Sequence, residues 1–376
     1  MIENQLHDGD VVWFAKGAPG SGKIVIDEAQ PGAETDDIWR FREMQRGSFI
    51  RQILRRVDWV PVADKWCRVS IMGADLSPDA LQKEESDKER VVILMIPGNP
   101  GNEGFYADFG ERLLKNLMSR DERAGGSIDR TYLFYTISHL NHVALPPELD
   151  GHAGALKAND RFLLDAQVQH KLNYVRDHLP HATRVYLMGH SIGSYMMLRV
   201  LPYIVDDFNI KAAIALFPTV ERMAVSPNGL RLRRVLAALD SQDWLAKALT
   251  FWLNFLPVSA KRWLVGLNLR ADGIPPCVAE AAAELLNVNV FRNIVHMSND
   301  ELENINEFDE ATLLQHRELV HFLYGTTDGW VPIEYGMEMA ERAPSGHVII
   351  DDKECEHAFV IKDGKAVAER LVPLIV

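Results

Sequence analysis

Three residues in this sequence have the types and order needed for nucleophilic chemistry: Ser191, Asp328 and His357. A serine hydroxyl is a weak nucleophile until a base takes its proton, and that base needs a third group to hold its tautomer. Ser191 is the centre of Gly189-His190-Ser191-Ile192-Gly193, preceded by the aliphatic run Val185 to Met188 and followed by an amphipathic helical pattern. A G-x-S-x-G pentapeptide between strand and helix reads as a nucleophile elbow, a strained turn that presents the serine Oγ above a sheet. Glycine is needed two positions either side, where strand and helix fold back on each other. Taken alone, the serine also fits an ordinary helix cap.

The acid and the base follow in the order Ser, Asp, His expected for such a turn. In HFLYGTTDGWVP, Asp328 comes just past a strand, after Gly325 and before Pro332. In VIIDDKECEHAF, His357 comes after the next strand, one strand-helix-strand excursion later. Each has a plainer reading, Asp328 as a turn former and His357 as a solvated loop residue. Three matches in the correct order at strand ends favour the triad. An oxyanion hole requires backbone N–H groups aimed where charge develops. One is expected from Ile192, the other from Pro97-Gly98-Asn99-Pro100-Gly101, with Asn99 first and Gly98 second; the alternative for this stretch is a tight turn. His190, beside the nucleophile, is expected to line the acyl pocket or pack. His139 and His142 follow another strand, and His139 is a further candidate for the pocket wall.

These residues need a sheet to carry them. From Val91 onward, apolar runs alternate with helical patterns: 91–96, 131–137, 185–188, 212–217, 319–324 and 348–350 read as strands buried on both faces. Helices are expected at Arg161 to His178 and Ser194 to Val205. The alternation predicts an α/β fold with a mostly parallel, doubly wound sheet. Thr219 to Arg317 is too long for a crossover and reads as an inserted helical lid. In it, Trp244, Leu245, Leu249, Trp252, Leu253 and Leu256 form an apolar face that Trp263, Leu264, Leu267 and Leu269 continue. The expected organisation is therefore a β-rich part at 1–87, core at 88–218, lid at 219–317 and core again at 318–376. Asp75 to Arg90 is highly charged and reads as a loop or frayed helix.

The chain has 376 residues and a net charge of −13, which makes nucleic acid an unsuitable partner for the whole molecule. Three scattered cysteines, Cys67, Cys277 and Cys355, offer no zinc or redox spacing and point to a reducing compartment. No metal or organic cofactor is implied. The N-terminus lacks the pattern of a signal peptide, and no apolar run is long enough to span a bilayer. Gly17 to Lys23 imitates a phosphate-binding loop, but Ile24 replaces the Ser/Thr that would hold magnesium and a β run follows instead of a helix. Between Glu221 and Arg270, eight Lys/Arg face three Asp/Glu, and Trp244, Trp252 and Trp263 fall there too. Basic and aromatic residues on amphipathic helices suit an anionic lipid surface. The competing reading is a closed cap whose apolar faces pack over the site, and the two are compatible.

The IPGNPG loop at Ile96 to Gly101, the GHSIG elbow, Asp328 and His357 together resemble the lipid droplet-associated hydrolases. The resemblance extends through Gly104-Phe105-Tyr106, Ser138-His139 and the Gln167 to His178 helix, covering roughly residues 88 to 376. It implies an α/β-hydrolase fold and a serine hydrolase of lipid esters, with sterol esters and acylglycerols as candidate substrates. It also implies a peripheral location on the cytosolic face of a lipid droplet or the endoplasmic reticulum. Two other readings use the same features: a lipid-surface binding protein with little turnover, and an acyltransferase using the same triad.

Overall fold

A computed structural model describes residues 52–77, 81, 89–124, 130–157, 160–182, 184–268 and 273–375. The expected strands before residue 52, the imitation of a phosphate loop at 17–23 and most of the charged stretch 75–90 lie outside these residues. So does Leu269, the last residue of the expected lid face.

Among the described residues, eight strands form one sheet in the order β1-β2-β4-β3-β5-β6-β7-β8. They are β1 (Leu54–Val62), β2 (Lys65–Gly73), β3 (Glu89–Ile96), β4 (Arg130–Ile137), β5 (Arg184–His190), β6 (Ile210–Leu216), β7 (Val320–Tyr324) and β8 (Val348–Ile350). β1 and β2 form an antiparallel pair that joins the edge of β4, while β3 to β8 run parallel. The six apolar runs of the sequence are these six parallel strands. Burial on both faces explains the legibility of the inner strands: Val91 to Ile96 are all at most 1% exposed, whereas β8, expected to be buried on both faces, is half-buried because it lies at the edge of the sheet. β1 has no such signature. It is an edge strand carrying Arg55, Arg56, Asp58 and Pro61, the charges and proline that keep an open edge from pairing further.

Helices cover both faces. α1 (Ala107–Arg123) packs with α11 (Gly364–Leu371), and α2 (Leu164–His178) with α3 (Ile192–Val200). α3 begins directly after Ser191 and stops before the expected Val205, because a 3₁₀ turn at Leu201–Tyr203, with Pro202 in it, takes over. α2 starts at Leu164, three residues later than expected from the sequence. Between β6 and β7 lie α4 (Pro227–Ser241), α5 (Asp243–Thr250), α6 (Val258–Asn268), α7 (Pro276–Glu284), α8 (Val288–Asn304) and α9 (Glu310–His316); α10 (Ile333–Arg342) joins β7 to β8. The insertion is thus helical, but its apolar residues do not make one face. α5 gives way to a 3₁₀ turn at Phe251–Phe255, which changes the residue spacing, so Leu253 is buried while Trp244, Trp252 and Phe255 face solvent. Among the described residues, no helix is long and apolar enough to cross a membrane.

Candidate active site

Ser191, Asp328 and His357 sit past the ends of β5, β7 and β8, and the fold brings them together. β5 and β6 are hydrogen-bonded neighbours, and the elbow is pinned to the end of β6: Ser191 N–H donates to Leu216 O (2.9 Å) and Thr219 N–H to Ser191 O (3.3 Å). Ser191 has φ 54° and ψ −124°, a conformation that costs a non-glycine residue about 1–3 kcal/mol and persists only when its surroundings hold it. The flanking glycines permit the close approach. A Cβ on Gly193 would stand 2.2 Å from Ile96 O, and one on Gly189 would stand 2.4 Å from Gly193 O.

His357 Nε2 is 2.9 Å from Ser191 Oγ, and His357 Nδ1 is 2.5 Å from Asp328 Oδ2. The Asp328 side chain is fully buried, and its other oxygen accepts the N–H groups of Trp330 (2.7 Å) and Val331 (3.1 Å). With Nδ1–H committed to this carboxylate, the Nε2 lone pair faces the serine, which is the tautomer of a general base. The His357 loop is held in turn. Asp351 Oδ2 accepts Cys355 N–H (2.8 Å), and Asp363 Oδ2 accepts Glu356 N–H (2.9 Å). The arrangement can remove the Ser191 proton as its oxygen attacks a carbonyl and later return it to a leaving group.

The loop expected to hold the oxyanion follows β3 on the other side of the elbow. Ile192 N–H is in the first turn of α3, where no helical carbonyl is available to it. Of the two residues expected to offer the other donor, Asn99 first and Gly98 second, Gly98 is excluded, because its N–H donates to Tyr106 Oη at 2.8 Å. Asn99 is the candidate left in the loop. Gly98 has a different task, since a Cβ there would press at 3.1 Å on both Ser191 Cβ and His190 Nδ1.

His190 fits the reading of a residue that packs and lines the pocket. Tyr106 Oη lies 2.7 Å from its Nδ1, and its Nε2 lies 2.8 Å from the backbone oxygen of His357. Nε2–H therefore donates to His357 O, and Nδ1 accepts from Tyr106. Burial, with His357 nearby, drives the imidazole down to about 3, so it stays neutral. Tyr106 thus joins the oxyanion loop to the elbow, a role that the sequence reading missed. The only sequence signal was its place in the Gly104-Phe105-Tyr106 tripeptide. Thr219 was missed as well; its Oγ1 is 3.5 Å from Ser191 Oγ.

His139 is not in the pocket wall. Its ring packs beneath Gly101, where a Cβ would come within 2.1 Å of it. His139 N–H donates to Gly101 O (2.8 Å), and Gly101 N–H donates to His142 Nδ1 (2.9 Å). Burial holds both imidazoles well below their ordinary range, with the nearby Lys171 cation pushing the same way. This pair supports the oxyanion loop from underneath.

A cavity of about 280 Å³ opens on Ser191, His357 and Asn99. Its apolar wall comes from Phe105, from Val278 and Ala282 of α7, from Leu285, and from Val360 and Ile361 beyond His357. The insertion therefore closes one side of the site. Its tryptophans do not contribute to the wall: Trp244 is 66% and Trp263 64% exposed. Exposed Arg231, Arg233, Arg234 and Lys247 lie on the same group of helices, α4 to α6.

The sequence model of the lipid-droplet associated hydrolases matches residues 89–360. Proteins named lipid droplet-associated hydrolase are similar over most of their length. That of Drosophila melanogaster is 31% identical over 286 residues, covering 76% of this chain and 89% of its own. That of Gallus gallus is 30% identical, covering 78% and 86%. The Homo sapiens protein is 28% identical, covering 78% and 87%. Among solved structures, a 2-hydroxy-6-oxo-6-phenylhexa-2,4-dienoate hydrolase from Rhodococcus superposes with TM-score 0.52 at 12% identity, covering 86% of this chain and 99% of its own. A membrane phospholipase A described as a bacterial virulence factor does so with TM-score 0.50 at 12% identity, covering 90% and 89%. These two likenesses concern the fold alone, which is that of the α/β-hydrolases. On the strength of the family match and of relatives aligned over three quarters of its length, this chain belongs to the lipid-droplet associated hydrolase family.

Proposed function

We propose that this protein is a serine hydrolase that cleaves carboxylic esters of lipids through an acyl-enzyme, with Ser191 as nucleophile, His357 as general base and then acid, and Asp328 as its orienting carboxylate. The observation that carries this reading is the unbroken contact from Asp328 Oδ2 through both nitrogens of His357 to Ser191 Oγ, at 2.5 and 2.9 Å, opening on an apolar cavity. Attack by Oγ on the acyl carbonyl passes its proton to Nε2. The tetrahedral oxyanion receives the N–H groups of Ile192 and Asn99. Collapse expels the alcohol, which takes the proton from Nε2, and water repeats the sequence to release the acid. The largely apolar wall suits an acyl chain, with sterol esters and acylglycerols as the substrate classes to try.

The test is covalent labelling by a fluorophosphonate probe, followed by hydrolysis of an ester panel from short to long chains with and without an added acceptor alcohol. Labelled Ser191 with free acid as product is expected. Well-folded protein that takes up no probe would leave a lipid-binding role on a hydrolase scaffold, and transfer to the acceptor alcohol would make it an acyltransferase.

The family's name places its members at lipid droplets, and for this chain the candidate contact surface is α4 to α6. Trp244, Trp252, Phe255 and Trp263 are exposed there among Arg231, Arg233, Arg234, Lys247 and Arg262. Apolar rings enter the interface while guanidinium and ammonium groups meet anionic headgroups. Replacing the three tryptophans by serine is expected to weaken binding to phosphatidylserine-containing vesicles by more than about tenfold, since each buried ring contributes about 1.5 kcal/mol or more. Hydrolysis of a water-soluble short-chain ester is expected to stay as in the unmodified protein. Vesicle sedimentation unchanged by the triple substitution would discard this surface.

A further inference from the structure

The Asn99 side chain is gripped by the insertion. Its Nδ2, with two N–H groups to give, lies within hydrogen-bond distance of three acceptors on α8: Ile294 O (3.2 Å), Ser298 Oγ (2.9 Å) and Glu301 Oε1 (2.9 Å). Its Oδ1 is buried without a donor. Glu301 is only 2% exposed, and Asn99 is the group to which its carboxyl is bonded. Burial pushes that carboxyl up to about 8; the Asn99 hydrogen bond opposes the rise and Asp300 adds to it. A carboxyl that keeps its proton in this setting needs an acceptor, and Asn99 Oδ1 needs a donor.

We infer that Glu301 works as a neutral carboxylic acid, accepting from Asn99 Nδ2 and donating to Asn99 Oδ1, and that this reciprocal pair makes it the positioning residue for the oxyanion loop. The inference rests on the proposed esterase reading, because it concerns where the Asn99 N–H stands relative to the acyl carbonyl. It also means that α8 is not the part of the insertion that lifts to admit substrate. Moving α8 would carry the loop with it and dismantle the oxyanion site.

The experiment compares Glu301→Gln and Glu301→Ala in the full-length protein with a short-chain p-nitrophenyl ester. Glutamine has one acceptor and one donor in the shape of the neutral acid, so Glu301→Gln is expected to keep kcat within about threefold of the unmodified protein. Glu301→Ala leaves the loop to drift and is expected to lower kcat on the order of 10²-fold, with KM changed less than about threefold because the acyl wall is untouched. Isotope-edited infrared spectra should contain a protonated-carboxyl band that Glu301→Gln removes. A slow Glu301→Gln variant, a fully active Glu301→Ala variant, or absence of the band would each overturn the inference. If Glu301→Ala does not fold, the glutamine variant and the band still decide it. Fluorophosphonate labelling of the unmodified protein separates the two levels. Labelled protein indifferent to Glu301 sinks only the positioning role, whereas unlabelled protein sinks the esterase reading itself.

Discussion

Ser191→Ala is expected to lower kcat toward lipid and short-chain esters on the order of 10⁴- to 10⁶-fold, and to abolish fluorophosphonate labelling altogether. The substitution removes the Oγ that His357 Nε2 faces at 2.9 Å and leaves the rest of the site in place. Alanine, like serine, carries a Cβ at φ 54°, so the backbone strain of the elbow is unchanged. The stability cost is the loss of one hydrogen bond, about 1 kcal/mol, which corresponds to a shift in Tm of roughly 2 °C. An activity assay run beside a thermal melt therefore separates chemistry from folding. Turnover within tenfold of the unmodified protein, in a preparation of normal Tm, would mean that another residue is the nucleophile.

Asp328→Asn should cost nearly as much, on the order of 10⁴-fold in kcat, and for a reason that this geometry makes specific. Asp328 Oδ1 accepts two backbone N–H groups, from Trp330 and Val331. In the amide variant those donors hold the carbonyl oxygen where it is, so the NH₂ must face His357 Nδ1. Nδ1 then has to accept, the ring proton moves to Nε2, and the base presents an N–H to Ser191 instead of a lone pair. The shape of the site survives while its tautomer is wrong. Binding of an uncleavable ester analogue should therefore persist while turnover is lost. If turnover stayed within tenfold of the unmodified level, a different group would be orienting His357.

The two variants test the part of the site that was most legible. Val185 to Met188 and Val320 to Tyr324 are short apolar runs because both faces of a central parallel strand are covered, while Val348 to Ile350, half-buried at the edge of the sheet, shows itself by three β-branched residues in a row. A residue just past each run is thereby placed at one edge of the sheet. Ser191, Asp328 and His357 could be singled out together because each signal is local: a run, a turn, a polar residue. β1 was illegible because Arg55, Arg56 and Asp58 interrupt its apolar residues.

By itself, then, the sequence determined the six parallel strands, the sharp turn at Ser191 with its two glycines, the placing of Ser191, Asp328 and His357 just past three strand ends, and the existence of a helical insertion. Only the tertiary structure decided how the loop beside them is held. Gly98 N–H goes to Tyr106, His139 lies beneath Gly101, and Asn99 is grasped by Glu301 from 202 positions away. It also decided that Trp244 and Trp263 face outward while Val278 and Ala282 line the cavity. Periodicity within one segment says which face is apolar, but not which distant segment meets it. A hydrogen bond between α8 and a loop before α1 is made by packing, and packing leaves no mark in local spacing.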